Sequence, residues 1–261
     1  MALLSRLESP VASKVKTICL IAVVASASSV LNTTTLPKAQ LAFQAEPVIE
    51  AQNQHDSSRP NFSSIESTAV RKTVFFNYIL PIVQQKNIEI LALRESIANS
   101  KLSQTTLEEL NIKYRLDKDA NKESLLAAID IVPPSLVLAQ AANESNWGRS
   151  RFARDYNNYF GLWCFSKGCG AIPKNRDTEA THEVASYTSL RASIDSYALT
   201  LNRNSAYTEL RAIRKSQRDN GQAITGLALA KGLSGYAQTG QEYVATIRSM
   251  IRYNKLEQYD L

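Results

Sequence analysis

The sequence predicts a mainly helical domain of ordinary globular make-up, with its turns and its binding surface in the second half. Three observations carry that expectation. The 261 residues are 44% hydrophobic and 21% charged, enough apolar material for one large domain or two small ones. No Gly occurs before Gly148, and a Gly-free first half suits helices because Gly in a helix interior costs about 1 kcal/mol relative to Ala. Both Trp, Trp147 and Trp163, also fall in the second half, where turns and loops belong. The same composition excludes a disordered chain, a collagen-like repeat and, with only 3 Cys, a disulfide-dense mini-protein. A net charge of +6 is too modest to demand nucleic acid, and none is expected as a partner.

Taken in order, the first element is a targeting segment. Arg6, Lys14 and Lys16 precede the apolar run that begins at Ile18, which closes on Ala25-Ser-Ala27. A basic start, a short apolar core and an Ala-x-Ala close describe a secretory signal peptide over residues 1–27, cleaved after Ala27. The protein is therefore expected to be exported, to the periplasm or cell envelope. No later stretch is long enough to span a bilayer, so no stable membrane insertion is expected after cleavage. Residues 28–64, rich in Thr, Ser, Gln, Asn and Pro, show no sustained period and read as a flexible tether.

Residues 65–120 form a helical extension. Val70, Val74, Phe75, Tyr78, Ile79, Ile82, Ile88 and Leu91 recur at helical spacing, with Pro81 expected to kink or divide the segment. Thr105-x-x-Glu108 reads as a capping box opening a helix through Tyr114. A further helix is expected near residues 123–131. Pro133-Pro134 ends it and opens the next, which runs to about Glu144, since Pro is well tolerated in a first helical turn. No internal repeat is visible.

Chemistry enters where that last helix ends, at Ala-Ala-Asn-Glu-Ser-Asn-Trp-Gly-Arg-Ser over residues 141–150. Glu144 closes an apolar helix just before Trp147 and Gly148. A carboxylate held against apolar and aromatic surface has its charged form disfavoured, which is what a general acid near neutral pH needs. A glutamate simply exposed after the last turn would sit at the unfavourable end of the helix dipole.

The stretch from Leu138 to Ala153, followed by Asn157-Asn-Tyr-Phe-Gly-Leu-Trp-Cys164, resembles the bacterial glucosaminidase family of peptidoglycan hydrolases, which includes the flagellar rod-cap hydrolase. Trp163-Cys-Phe-Ser-Lys-Gly-Cys-Gly170 resembles the cysteine-bearing loop of the Bax-type subgroup. Ser186-Tyr-Thr-Ser-Leu-x-Ala-Ser-Ile-x-Ser-Tyr197 and Tyr236-Ala-x-Thr239, with Tyr243 beyond, extend the likeness over roughly residues 124–257. The resemblance implies an α+β, lysozyme-like fold over residues 121–261, with a mainly helical lobe, a small β-hairpin lobe and a groove between them. It implies an endo-β-N-acetylglucosaminidase that cleaves the β-1,4 bond after N-acetylglucosamine in peptidoglycan glycan strands. It places the general acid on Glu144 and a site tyrosine on Tyr236. The second carboxylate falls on Glu179, with Glu183 as competitor, since strand alternation puts both on one face. Its role is to orient water or to stabilise the cationic centre, a role the substrate's N-acetyl group can also take.

Sugars present apolar faces, so Trp147, Tyr156, Tyr159, Phe160 and Trp163 are candidate groove rings, with core the favoured place for Phe160 and Trp163. Asn143 and Tyr243 complete the candidate substrate contacts. Between Ser145 and Arg176 six basic residues (Arg149, Arg151, Arg154, Lys167, Lys174, Arg176) face one acid, Asp155. Beside a polyanionic wall, such a rim raises local substrate concentration. Cys164 and Cys169, the cysteines left after signal removal, are expected to form a disulfide. No cofactor and no metal site is expected: zinc needs four ligands with only His182 nearby, and no phosphate-binding Gly-rich loop occurs. The chain is expected to act as a monomer. Two other classes remain open, a lytic transglycosylase or muramidase on the same single-glutamate plan, and a non-catalytic wall-binding protein.

Overall fold

A computed structural model describes residues 59–173 and 181–260, all within the compact unit Pro47–Leu261. The elements are α1 (Thr68–Ala98), α2 (Gln104–Lys113), α3 (Lys122–Ala128), α4 (Pro134–Ser145), α5 (Arg151–Tyr156), β1 (Trp163–Cys164), β2 (Gly170–Ala171), β3 (Glu183–Ala185), α6 (Leu190–Arg203), α7 (Thr208–Asp219), α8 (Gly226–Leu229) and α9 (Gln241–Tyr253), with 3-10 turns after α6, α8 and α9. The expected α+β class, mainly helical with a small sheet, is the architecture observed. The sheet order is β1-β3-β2, with both outer strands antiparallel to β3.

Helix α4 is the axis of the fold. Ser135, Leu136, Val137, Leu138, Ala139, Gln140, Ala141 and Ala142 are all buried, because α1, α8, α9 and the C-terminal turn pack around it. Pro134 opens it at the first position, where a missing N–H costs nothing. The next donor is capped from far away: Asp260 accepts from the Ser135 amide at 2.9 Å and the Ser135 hydroxyl at 2.6 Å, and from the Gly226 amide at 2.9 Å. A carboxylate at a helix N-terminus satisfies open donors and complements the helix dipole.

Three local expectations need correction. Pro81 does not divide its segment: α1 is one helix of 31 residues with Pro81 inside it, and packing of Phe75, Phe76, Tyr78, Ile79 and Val83 into the main core outweighs the lost hydrogen bond. The cap of α2 is Ser103, whose side chain accepts from the Thr106 amide at 3.1 Å, rather than Thr105. The folded region also begins before residue 65. Phe62 is 2% exposed and packs edge-on against Phe75 and Tyr78 with ring centroids 5.5 and 5.8 Å away. One aromatic in a polar stretch makes no period, so its burial was invisible in the pattern.

A smaller core lies under the far half of α1, built from Ile90, Ile97, Leu110, Tyr114, Leu125, Ala128 and Ile129. Buried charge joins it to the rest. Asp130, in the connection between α3 and α4, receives both ends of the Arg218 guanidinium at 2.8 and 3.0 Å and lies 3.4 Å from Arg94 of α1. Arg214 is fully buried and donates to the carbonyls of Ala128, Asp130 and Ile131 and to Asn202 Oδ1. Burial lowers its guanidinium to about 10 against the pull of Asp130, so it stays charged at neutral pH. Asp130→Ala strands these cations and should cost about 3 kcal/mol or more in urea unfolding. Lys215→Ala, which breaks only the exposed pair with Asp219, should cost less than about 1 kcal/mol.

Candidate active site

The site grows from the C-terminal end of α4. Asn146 caps the helix in the left-handed region, Trp147 follows at φ 59° and Gly148 at φ 76°. The Ser145 hydroxyl donates to the Ala141 carbonyl at 2.6 Å and accepts from the Gly148 amide at 2.8 Å, locking the turn. A Cβ at Gly148 would lie 2.3 Å from the Phe62 ring, so both the backbone angle and the packing call for glycine. The consequence is that Glu144 stands in the last turn, half-buried, at the edge of the core.

Oε1 of Glu144 takes two hydrogen bonds, from Tyr243 Oη at 2.8 Å and from its neighbour Asn143 Nδ2 at 3.0 Å. Oε2 lies on the side of exposed Gly161, 3.6 Å from the position a Cβ there would occupy. Gly161 has φ 64°, a conformation that favours glycine, so this residue places no side chain of its own against the carboxylate. Buried Asn158 sets that backbone: its Nδ2 donates to the Leu162 and Ala185 carbonyls at 2.9 and 2.8 Å, and its Oδ1 accepts from the Phe160 and Leu162 amides.

Behind Glu144 stands a wall of tyrosines. Tyr243 and Tyr236 stack with centroids 5.3 Å apart, and Tyr236 Oη donates to the Phe160 carbonyl at 2.7 Å. Tyr243 Oη also accepts from Gln140 Nε2 at 2.9 Å, and Gln140 Oε1 accepts from Tyr197 Oη at 2.6 Å. Desolvation, aided by the nearby Glu144, raises the Tyr197, Tyr236 and Tyr243 hydroxyls well above the usual phenol range. Of the two tyrosines expected at the site, it is Tyr243 that bonds Glu144, while Tyr236 braces Tyr243 and the Phe160 backbone. Gln140, Tyr197 and Asn158 were not singled out from the sequence, although a glutamine in an otherwise apolar turn, four residues before Glu144, was a readable signal.

The expected rings divide differently. Tyr159, a candidate groove ring, is 0% exposed and belongs to the core, and so does Phe160, for which core was the favoured place, at 1% and stacked on Tyr197 at 4.1 Å. Trp163, for which core was favoured, is 56% exposed and stacks on His182 at 4.0 Å. β1 is only two residues long and lies at a sheet edge, which leaves the Trp163 ring outside the packed core. Trp147 packs edge-on against Phe75 and Phe76 at 5.6 and 5.5 Å, with the Lys72 ammonium 4.9 Å from its ring centre. Tyr156 lies beside Phe152 at 6.3 Å.

In the small lobe, Cys164 and Cys169 form the expected disulfide. Glu183 is buried on β3, and its two oxygens accept from the Gly168 and Gly170 amides at 2.9 and 2.8 Å. Both carboxylate oxygens thus hold the disulfide loop. These two sulfurs and Glu183 cluster within 4.8 Å, but sulfurs bonded to each other offer no thiolate to a metal. Glu179, Lys174 and Arg176 lie outside the described residues.

A half-buried glutamate ending a buried helix, beside a small sheet, fits a glycoside hydrolase, and comparison with known proteins gives the same class. The glucosaminidase family model, described as mannosyl-glycoprotein endo-β-N-acetylglucosaminidase, matches residues 121–256, and the chain belongs to this family. It is similar to Protein bax of Escherichia coli K12, with 29% identity over 214 residues covering 76% of this chain and 75% of the relative. Among solved structures, the catalytic domain of the autolysin Auto from Listeria monocytogenes aligns with a TM-score of 0.44 at 24% identity, over 82% of this chain and 99% of that one.

Glu183→Ala leaves two amides of the disulfide loop without acceptors and should lower stability by about 1–3 kcal/mol in urea titration. Thiol counting on denatured, unreduced protein lacking residues 1–27 should find no free thiol.

Proposed function

We propose that the protein is an endo-β-N-acetylglucosaminidase of the cell envelope that cleaves peptidoglycan glycan strands with Glu144 as general acid. The observation that carries this reading is the asymmetry of the Glu144 carboxylate. Two donors occupy Oε1, while Oε2 lies toward the exposed Gly161 backbone, where a leaving oxygen can take its proton. Glycoside hydrolysis needs such a proton donor and a second group to manage the oxocarbenium-like centre. For that group we assign Glu179, on the family resemblance. Glu183 is the weaker candidate because its carboxylate already accepts two backbone amides.

Trp163 supplies the exposed ring for the substrate. It stands two residues from Gly161, and its open face suits the apolar face of a sugar. Arg149, Arg151, Arg154 and Lys167 concentrate positive charge in the segment around Trp163, complementary to a polyanionic wall. Membership of a glucosaminidase family supports export, and residues 1–27 are assigned as the signal that provides it. Among the described residues no helix is long and apolar enough to cross a membrane.

Glu144→Gln should lower cleavage in a peptidoglycan zymogram at least 100-fold with an unchanged melting curve, in line with the roughly 10²–10⁴-fold worth of general acid catalysis. Mass spectrometry of borohydride-reduced products should show reduced N-acetylglucosamine ends; anhydro-muramic ends would make the enzyme a transglycosylase, and no products a binding protein. Glu179→Ala should lose turnover while Glu183→Ala, where folded, keeps it. Trp163→Ala should raise KM several-fold, about what one ring contact contributes, and leave kcat near normal.

A further inference from the structure

Gln140 has no exposed surface, and it lies one helical turn before Glu144, so the two side chains share a face of α4. A buried amide in a helix that is otherwise apolar around it needs a partner at each end, and it has them. Its Oε1 accepts from Tyr197 Oη at 2.6 Å, and its Nε2 donates to Tyr243 Oη at 2.9 Å. One end of an amide only accepts and the other only donates, whereas a phenol does either. The Glu144 carboxylate only accepts, so the Tyr197 and Tyr243 protons both find acceptors when Gln140 turns Oε1 to Tyr197 and Nε2 to Tyr243. Because Tyr243 receives an N–H on its oxygen, its own proton is left for Glu144 Oε1 at 2.8 Å. With the amide reversed, the Tyr243 proton would be drawn to Gln140 Oε1 and Glu144 would lose its donor.

We propose that Gln140, oriented by Tyr197, is a positioning residue that makes the Tyr243 hydroxyl an obligate donor to Oε1 of Glu144 and so reserves Oε2 for the proton delivered to the substrate. The proposal rests on the reading of Glu144 as the acid. Among the described residues the titratable groups facing Glu144 are the phenols Tyr197, Tyr236 and Tyr243, and Asn143 adds a neutral amide. Burial holds all three phenols protonated through the neutral range, so the chain of donors keeps one direction while Glu144 itself cycles.

The test is the pH dependence of kcat and KM on peptidoglycan for the wild type, Gln140→Met, Gln140→Glu and Tyr197→Phe, with Glu144→Gln alongside. Gln140→Met keeps the volume and removes both polar ends. Its kcat should fall about tenfold with KM within twofold. The alkaline limb should move up by about half a pH unit, because a carboxylate with a weakened donor gives up its proton less readily. Gln140→Glu carries the sharper signature. A protonated carboxyl copies the amide, accepting from Tyr197 and donating to Tyr243, whereas the ionised form only accepts and pulls the Tyr243 proton away. That variant should approach wild-type kcat at acidic pH and lose it at lower pH than the wild type does. Tyr197→Phe should lower kcat by about threefold, since it frees the amide to turn. Wild-type kcat and limb positions in the folded variants would overturn the proposal, and a merely structural Gln140 would change the melting temperature without moving either. An active Glu144→Gln would instead remove the reading of Glu144, whatever the Gln140 variants do.

Discussion

The burial of α4 on every side is the constraint on which the rest of the molecule depends. A helix wholly inside a core satisfies its backbone internally, but each polar side chain on it must find a partner or cost about 1–3 kcal/mol. The chain meets this at three heights. Ser135 is held by Asp260 from the far end of the sequence, Gln140 by Tyr197 and Tyr243 from α6 and α9, and Ser145 by its own turn. Glu144 stands where that burial ends. The requirement that stabilises the helix therefore also delivers an oriented phenol to the carboxylate, so packing and chemistry share the same atoms.

The helical extension belongs to the same constraint. The family match begins at residue 121, yet Phe62, Phe75, Phe76, Tyr78, Ile79 and Val83 lie in the same core as α4. Phe75 and Phe76 close over Trp147, and Arg94 reaches Asp130 at the root of α4. Ion pairs from Glu89 to Arg191 and from Lys86 to Asp195 fasten α1 to α6, the helix that carries Tyr197. The extension is thus a wall of the glucosaminidase-family domain, covering apolar surface that the turn after Glu144 would otherwise present to water.

The small lobe is stabilised differently. Strands of two or three residues make too few ladder hydrogen bonds to stand alone. A short-loop disulfide contributes little to global stability, because loop entropy grows with loop length. Glu183 supplies the missing order from within, clamping the loop between Cys164 and Gly170 through two backbone amides. A carboxylate on a strand near a groove looks catalytic by position, and here its geometry is that of a brace.

Much was legible from residues alone. The glycine-free helical half, the end of α4 at Glu144 and the pairing of Cys164 with Cys169 follow from local pattern and spacing, while Tyr236 and Tyr243 became candidates through the family resemblance. What tertiary structure decided were questions of which face meets which. Helical and strand periods say that Phe160 and Trp163 alternate in some way, but only the packed neighbours bury the first against Tyr197 and expose the second beside His182. Pro81 breaks a helix that has nothing to hold it, and α1 is held by the core. The Gln140 relay joins residues 57 and 103 positions apart through single hydroxyls. No periodicity encodes such a link, because hydrogen-bond direction is set by where three separate helices place their side chains.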